Sequence, residues 1–284
     1  MSTSADQKTI AREVQFSGKA LQTGREVNAV CRAAEPNTGI VFKRTDLSDT
    51  PVLRLSDAVL SGSHMRRSTI GAGVLEVQTP EHFLAALWAL EIDNLVVELD
   101  GAELPALDGS AIGFFKPLKE AGFLGQSSPR RPIKIREEER VEEKGSSLTV
   151  LPGDVFAVSY LIEYDVPSIG REVFDITPDR DLFEKEIAPA RTFCLKQEAE
   201  TLLKAGLGRG ATLENTLVMD DSGPVGTTLR FPNEPVRHKV LDLIGDLYML
   251  GRPIIGRIVA EKSGHGLNAE MVRKIYDKYG RVKQ

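Results

Sequence analysis

The sequence has few cysteines and no long apolar segment. Cys31 and Cys194 are its only cysteines and lie far apart in the chain, so they cannot form a disulfide framework or, by themselves, a thiolate zinc site. A reducing compartment is therefore expected. No run of about 18 apolar residues occurs, and segment 1–12 has no apolar core of the kind a signal peptide needs. These absences predict a cytoplasmic protein with no stable membrane insertion.

The sequence also has no excess of basic residues. Lys and Arg total 36 against 41 Asp and Glu, which gives a formal charge of -5, and no long basic block stands out, so general nucleic-acid binding is disfavoured. With 41% hydrophobic and 27% charged residues over 284 positions, the composition is that of an ordinary globular protein with one large or two medium domains.

Hydrophobic patterning divides the chain into two similar halves. It predicts strands at 9–16, 27–32, 39–44 and 94–99 with a helix over 80–90, then strands at 133–135, 147–151 and 155–162. Further helices are predicted at 183–187, 197–205 and 235–250. Segment 127–132 is polar with two prolines and predicts a linker. We therefore expect an α+β fold with domains at 1–128 and 129–284, although no residue-level repeat relates them.

The first candidate site lies at the start of the predicted helix over 80–90. Thr79 is a candidate N-cap and Pro80 suits the first helical position. Glu81 and His82 then fall in the first turn, where free backbone N–H groups favour anionic chemistry. Taken alone, the pair is more typical of an exposed glutamate beside a packing histidine than of a catalytic pair.

The second candidate site lies on the predicted helix over 235–250. His238, Asp242 and Asp246 follow one another at intervals of four and share one side of that helix. The opposite side carries an apolar stripe of Val236, Val240, Leu243, Leu247 and Leu250. A histidine and an aspartate four residues apart can bind one metal ion, but a surface ion pair has the same spacing.

Two further histidines stand in loops. His265 lies between Gly264 and Gly266, and glycines on both sides permit close backbone approach. This suggests a functional loop, although an exposed turn is the commoner setting for such a histidine. His64 has no carboxylate at useful spacing, and we interpret it as a surface residue.

Assembled in order, these segments resemble the UDP-3-O-acyl-N-acetylglucosamine deacetylases, zinc amidases of lipid A biosynthesis. The resemblance runs over nearly the whole chain. Its landmarks are Phe16-Ser-Gly, Asn37-Thr-Gly-Ile-Val-Phe-Lys-Arg-Thr-Asp-Leu, Thr79-Pro-Glu-His-Phe-Leu-Ala-Ala-Leu, Asp108-Gly-Ser-Ala, Ala190-Arg-Thr-Phe, Val236-Arg-His-Lys and Lys262-Ser-Gly-His-Gly-Leu-Asn. It implies two domains of related topology, with helices sandwiched between two sheets and the site between the domains.

The resemblance also implies roles for the candidate residues. His82, His238 and Asp242 would be ligands of a catalytic Zn²⁺ that keeps its fourth position for water. Glu81 would take the proton of that water. The Thr192 hydroxyl would help to hold the oxyanion. His265, oriented by Asp246, would protonate the leaving amine.

The resemblance further implies contacts with the substrate. Lys239 and Lys262 would offer positive charge to substrate oxygens or phosphates. Tyr164 would stack on uracil, although packing within a strand explains it equally well. An inserted segment, 190–218 here, would line an apolar passage for the acyl chain through residues such as Phe193, Leu195 and Leu203, for which ordinary helix packing is the alternative.

The chain departs from the family pattern at two places. Many relatives have Leu-His-Thr-Gly where this chain has Gln22 in second position, and Phe-Gly-Phe where this chain has Phe193-Cys-Leu. Glutamine donates hydrogen bonds but cannot become cationic. Inference of the acyl-chain length is weakened by both departures.

The implied reaction is hydrolysis of the N-acetyl group of UDP-3-O-[(3R)-3-hydroxyacyl]-N-acetylglucosamine, which gives the free amine and acetate in the committed step of lipid A biosynthesis. Two alternatives stand beside it: a catalytically silent binder of UDP-sugars or acyl-lipid precursors, and a zinc amidase for another N-acetyl sugar. The complete set of ligands and acid–base residues favours an enzyme. The chain is expected to act as a monomer without a fused dehydratase domain.

Overall fold

Two β-sheets with the same strand connectivity form the framework of the protein. The computed structural model describes residues 6–57 and 68–280, so His64 lies outside the described residues. In the first half the strands are β1 (Asp6–Ile10), β2 (Val14–Lys19), β3 (Glu26–Ala33), β4 (Ile40–Arg44), β5 (Val52–Arg54), β6 (Thr69–Ala72), β7 (Leu75–Gln78), β8 (Leu95–Leu99) and β9 (Phe123–Pro129). The helices there are α1 (Glu81–Leu90) and α2 (Ile112–Glu120), with a 3₁₀ turn at Leu55–Asp57.

The second half repeats this mixture of strands and helices. Its strands are β10 (Ile133–Lys134), β11 (Glu139–Glu143), β12 (Ser146–Leu151), β13 (Phe156–Glu163), β14 (Arg171–Ile176), β15 (Phe193–Leu195), β16 (Leu217–Asp220), β17 (Gly223–Pro224) and β18 (Ile254–Glu261). Its helices are α3 (Arg180–Leu182), α4 (Lys196–Lys204), α5 (Glu234–Tyr248) and α6 (His265–Ile275), with π-helical turns at Phe183–Ile187 and Tyr276–Gly280.

The two large sheets correspond strand by strand. The first has the order β2-β3-β8-β4-β5, in which the β4–β8 pair is parallel and the other three are antiparallel. The second has the order β11-β12-β18-β13-β14, in which β13–β18 is the parallel pair, and β10 adds a short parallel pairing to β18. In each half one helix precedes the central strand and another follows it. The predicted α+β fold with two units of related topology is confirmed.

The core lies where α1 packs against α5. Every residue of α1 is buried, which an isolated amphipathic helix could not achieve, so this helix is covered on all sides. Gly245 allows the close crossing, because a Cβ atom added there would lie 1.9 Å from the carbonyl oxygen of Glu81. Across the two halves, the ring of Trp88 on α1 contacts that of Phe156 on β13 in a tilted arrangement, with 4.8 Å between centroids and 54° between the ring planes.

The predicted elements agree with the structure except at three places. The strand predicted over 9–16 is two strands, β1 and β2, because β1 pairs with β9 whereas β2 pairs with β3. The N-cap prediction for Thr79 is wrong: its hydroxyl donates to Glu103 Oε1 at 3.1 Å, and α1 has no side-chain cap. The predicted linker is shorter than 127–132, because β9 continues to Pro129 opposite Asp6.

We propose the domain boundary between residues 128 and 129, at the last residue of β9 and next to the short connection at 130–132. Pro129 is tolerated at the end of β9 because β9 belongs to a two-stranded sheet. Proline has no backbone N–H, and no third strand requires one there.

Among the described residues, no helix combines the length and the apolar character that crossing a membrane requires.

We predict that Gly245→Ala destabilises the protein. The new methyl group would overlap the Glu81 carbonyl, so α1 and α5 would have to separate, and the free energy of unfolding should fall by about 3 kcal/mol. Denaturant unfolding followed by circular dichroism measures this loss. Gly125→Ala is the matched control, because a Cβ atom at that position meets nothing within 4 Å. Equal stability of the two variants would contradict the prediction.

Candidate active site

Two helices from different halves of the chain bring the candidate residues together. Glu81 and His82 occupy the first turn of α1, while His238, Asp242 and Asp246 occupy successive turns of α5. All five are buried, with at most 5% of each residue exposed. The interpretations as a surface glutamate and a surface ion pair are therefore wrong for this chain, since the polar side of α5 faces the interior and not solvent.

The three predicted metal ligands converge on one point. Ligand atoms of His82, His238 and Asp242 all lie within 4.8 Å of one another. Asp242 Oδ1 is 3.5 Å from His82 Nε2 and 3.3 Å from His238 Nε2. His238 Nδ1 lies 3.0 Å from the carbonyl oxygen of Ala190, which can only accept a hydrogen bond. Nδ1 therefore carries the proton, and the Nε2 lone pair of neutral His238 faces the cluster.

The donor set suits a divalent metal ion. Asp242 Oδ1 is buried and accepts no hydrogen bond, and Glu81 Oε2 beside the cluster is also buried without a partner. Buried carboxylate oxygens are costly when they remain unsatisfied, so a cation between these side chains would remove that cost. Two imidazole nitrogens and one carboxylate oxygen are a ligand set that leaves a fourth position open in catalytic sites. The cluster therefore fits a bound metal ion.

A second hydrogen-bond network surrounds Asp246. Its Oδ2 lies 2.8 Å from His265 Nδ1 and accepts from Asn268 Nδ2 at 2.8 Å, while its Oδ1 accepts from Ser68 Oγ at 2.5 Å. His265 begins α6, and its Nε2 lies 3.8 Å from Asp242 Oδ2. Asp246 thus fixes the ring of His265 with one nitrogen directed toward the metal-ligand cluster.

Burial and neighbouring charges shift the pKa values of these groups in different directions. Burial raises the pKa of Glu81 to about 7 and lowers that of His238 to about 4. Burial also opposes charge on His265, but the Asp246 carboxylate more than offsets it and raises the pKa of His265 to about 9. Although burial alone would raise the pKa of Asp242, the positive charge of Lys239, 2.8 Å away, holds it well below its usual range. The site thus contains a carboxylate that titrates near neutrality and a protonated imidazole.

A cavity of about 540 Å³ adjoins the cluster. His238, Asp242, His265, Lys239 and Thr192 line its polar end. Its apolar side is formed largely by segment 190–218, including Phe193, Leu202, Leu203, Leu207 and Val218. Such a mixture of an apolar wall and a few polar groups is typical of small-molecule sites.

Of the other residues predicted to contact substrate, Tyr164 and Lys239 line the cavity, whereas Leu195 and Lys262 do not. Tyr164 lines the cavity, and its ring meets that of Phe193 edge-on at 5.7 Å between centroids. Lys239 Nζ donates to Asp242 Oδ2 at 2.8 Å. Leu195 and Lys262 do not line the cavity; Lys262 pairs with Glu163 at 3.0 Å. Of the three residues of β15, Phe193 and Cys194 line the cavity and Leu195 does not.

A buried ion pair that the sequence analysis missed supports the segment beside the site. Arg191 Nε donates to Glu234 Oε1 at 2.9 Å, and Glu234 also accepts from the backbone N–H groups of Arg191 and Arg230. Glu234 is fully buried and Arg191 is 4% exposed. This pair fixes Ala190, whose carbonyl oxygen orients His238, and Thr192, which reaches the cavity.

The other site residues that the sequence analysis missed differ in how far the sequence could have identified them. Asn268 is three residues after His265, so helical spacing alone places both on one face of α6. Ser68 is 178 positions from Asp246, and no local pattern connects them. Arg191 belongs to a family landmark, but its partner Glu234 is distant in sequence.

Comparison with known proteins identifies the family of this chain. The sequence model of a family described as UDP-3-O-acyl N-acetylglycosamine deacetylase matches residues 7–277. The chain is 40% identical over 276 residues to the UDP-3-O-acyl-N-acetylglucosamine deacetylase of Myxococcus xanthus, covering 96% of this chain and 87% of that protein. It is 37% identical to the enzyme of the same name from Chromobacterium violaceum, covering 95% of this chain and 90% of that protein. The chain belongs to the UDP-3-O-acyl N-acetylglycosamine deacetylase family.

Proposed function

We propose that this protein is a zinc-dependent amidohydrolase. It removes the N-acetyl group of UDP-3-O-[(3R)-3-hydroxyacyl]-N-acetylglucosamine and releases the free amine and acetate, a step of lipid A biosynthesis. Family membership over residues 7–277 supports the substrate class. We further propose that the protein acts as a cytoplasmic monomer that binds neither nucleic acid nor the interior of a membrane.

One observation carries the proposal. The buried oxygen Asp242 Oδ1 accepts no hydrogen bond although it faces two histidine nitrogens at 3.3 and 3.5 Å. A catalytically silent binder has no reason to maintain this arrangement, because a buried carboxylate oxygen without a hydrogen bond destabilises a fold. In a metalloenzyme the same arrangement serves to hold a cation.

His82, His238 and Asp242 would hold the zinc ion. When bound, zinc polarises a carbonyl group and lowers the pKa of water toward neutrality. His238 is held in the required tautomer by Ala190. Lys239 donates to the other oxygen of Asp242, which keeps that carboxylate ionised.

Glu81 acts as the general base. Its Oε2 is buried and free of hydrogen bonds, so it is available to accept the proton of the attacking water. Burial raises the pKa of Glu81 to about 7, which brings it close to the value at which a base both accepts and releases a proton efficiently at neutral pH.

His265 acts as the general acid, and Thr192 stabilises negative charge. His265 is protonated at neutral pH because Asp246 raises its pKa to about 9, and it donates that proton to the amine as the C–N bond breaks. Without that proton the nitrogen would have to leave as an amide anion, which is too basic to be expelled at neutral pH. Thr192 lines the same end of the cavity, where its hydroxyl can donate to the carbonyl oxygen as that atom gains charge.

The cavity provides the contacts for the rest of the substrate. Its apolar wall, with Phe193 and Leu203 among its residues, would bind the acyl chain, and Tyr164 offers a ring face for the uracil base. Lys239 offers positive charge at the polar end. Lys262 and Leu195 stand outside this lining, so any contact they make with the substrate would involve its exposed parts.

We predict that the zinc content of variants distinguishes the metal ligands from the general base Glu81. Asp242→Ala should lose the metal and the activity together, whereas Glu81→Gln should keep one equivalent of zinc, because Glu81 is not among the converging ligand atoms. Elemental analysis of the purified variants measures their zinc content.

Chelation should abolish acetate release by the native protein, and added zinc should restore it. Full activity after complete removal of metal would refute zinc dependence.

We predict that Glu81→Gln lowers kcat by about 10²–10⁴-fold. The amide has nearly the same size as the carboxylate but cannot accept a proton from water. Acetate release under saturating substrate measures the loss. Retention of most of the turnover by this variant would remove Glu81 from its assigned role, whatever its metal content.

We predict that His265→Gln lowers kcat far more than Ser68→Ala. The first change removes the proton donor, at a cost of about 10²–10⁴-fold. Ser68→Ala removes the hydrogen bond to Asp246 and the 3.2 Å contact of Ser68 Oγ with His265 Nδ1, but it leaves the His265–Asp246 contact in place, so it should cost about tenfold. Similar losses in both variants would indicate that His265 only supports the structure.

A further inference from the structure

The turn between β2 and β3 contacts segment 190–218 at the wall of the cavity. Three successive backbone N–H groups make this contact: Gly208 donates to Gln22 Oε1 at 3.0 Å, Arg209 to Gln22 O at 3.2 Å, and Gly210 to Leu21 O at 3.0 Å. We call these hydrogen bonds between Leu21, Gln22 and Gly208–Gly210 the bridging contact. It joins the first half of the chain to the segment that carries most of the apolar lining.

The backbones approach each other too closely for side chains. A Cβ atom added at Gly210 would lie 2.2 Å from the carbonyl oxygen of Ala20, and one added at Gly24 would lie 3.1 Å from the carbonyl oxygen of Arg209. Gly24 also has a φ of +67°, a conformation that glycine adopts most readily. Glycine is thus required on both sides of the bridging contact.

Side chains hold each partner of the bridging contact in place. The buried carboxylate of Glu103 accepts from the backbone N–H groups of Gln22 and Thr23 at 2.8 and 3.1 Å and from the Thr79 hydroxyl at 3.1 Å. Thr79 is two residues before Glu81, so Glu103 connects the turn to the start of α1. On the other side, Asn215 Nδ2 donates to Gly210 O at 3.1 Å.

The bridging contact forms part of the cavity surface. Leu21 and Gln22 line the cavity from the first half, and Leu207, Gly208 and Ala211 line it from segment 190–218. Gly210 itself is not part of the lining. The distance between these two portions of the wall is therefore fixed by hydrogen bonds and by glycine backbones that lie outside the catalytic machinery.

We propose that the bridging contact sets the length of acyl chain that the enzyme accepts, with Gly210 and Gln22 as its positioning residues. This inference rests on the proposed function, because it takes the cavity as the acyl site. When the contact is intact, the wall is closed and additional methylenes are excluded. When it is separated, the wall moves outward and longer chains are admitted. One methylene in a hydrophobic pocket changes kcat/KM by about tenfold or more.

The test compares Gly210→Ala with native protein on UDP-3-O-acyl-N-acetylglucosamines whose chains differ by two methylenes. In native protein, kcat/KM should fall for chains longer than the best one. In Gly210→Ala this discrimination should weaken by about tenfold, mainly through a lower KM for the longer chain, while kcat with the best chain stays within about twofold. Gly125→Ala, with open space around its Cβ position, should keep the native discrimination.

Gln22 provides a second test that makes a smaller change. Gln22→Met keeps the side-chain volume but removes the acceptor of the Gly208 amide, so it should weaken length discrimination in the same direction. Gln22→Glu keeps an acceptor oxygen and should retain the native discrimination. Unchanged length discrimination in a folded Gly210→Ala and in Gln22→Met, or an equal loss of activity at every chain length, would overturn the inference. Absence of acetate release by native protein at any chain length would instead refute the proposed function.

Discussion

The close crossing of α1 and α5 determines the arrangement of the whole site. Glu81 and His82 come from one half of the chain and His238, Asp242 and Asp246 from the other, so neither helix holds a complete site. Gly245 brings the α5 backbone against the carbonyl oxygen of Glu81, close enough that a Cβ atom would lie 1.9 Å from it. Helix packing therefore brings the metal-ligand atoms together directly, without a loop that would need to be ordered.

So many charged groups can be buried only because most of them have hydrogen-bond or ion-pair partners. Asp246 accepts from Ser68 and Asn268 and contacts His265. Glu234 is surrounded by donors from Arg191 and Arg230. The low-dielectric interior strengthens these interactions and also makes an unpaired oxygen expensive. The unpaired oxygens of Asp242 and Glu81 stand out against these satisfied neighbours, and they are the atoms to which we assign metal binding and proton transfer.

The parts of the site that follow a helical period could be predicted from sequence, whereas the contacts between distant segments could not. The spacing of His238, Asp242 and Asp246 predicted their shared face because the α-helix has one geometry. Thr79 was misinterpreted because its hydroxyl has a tertiary partner in Glu103, and such a partner overrides a local capping preference. Ser68 and the bridging contact depend on how the two halves pack, which no local pattern describes. Spacing alone could not distinguish a metal site from a surface ion pair. The family resemblance supplied the role of metal ligands.

The equal connectivity of the two sheets places two equivalent helices at the site. α1 and α5 occupy equivalent places, each preceding the central strand of its own sheet, and they pack against each other. A helix that meets its own equivalent is the contact found at the twofold axis of a homodimer. In a homodimer the two helices would carry identical side chains. Here they differ, so α1 supplies Glu81 and His82 while α5 supplies His238, Asp242 and Asp246.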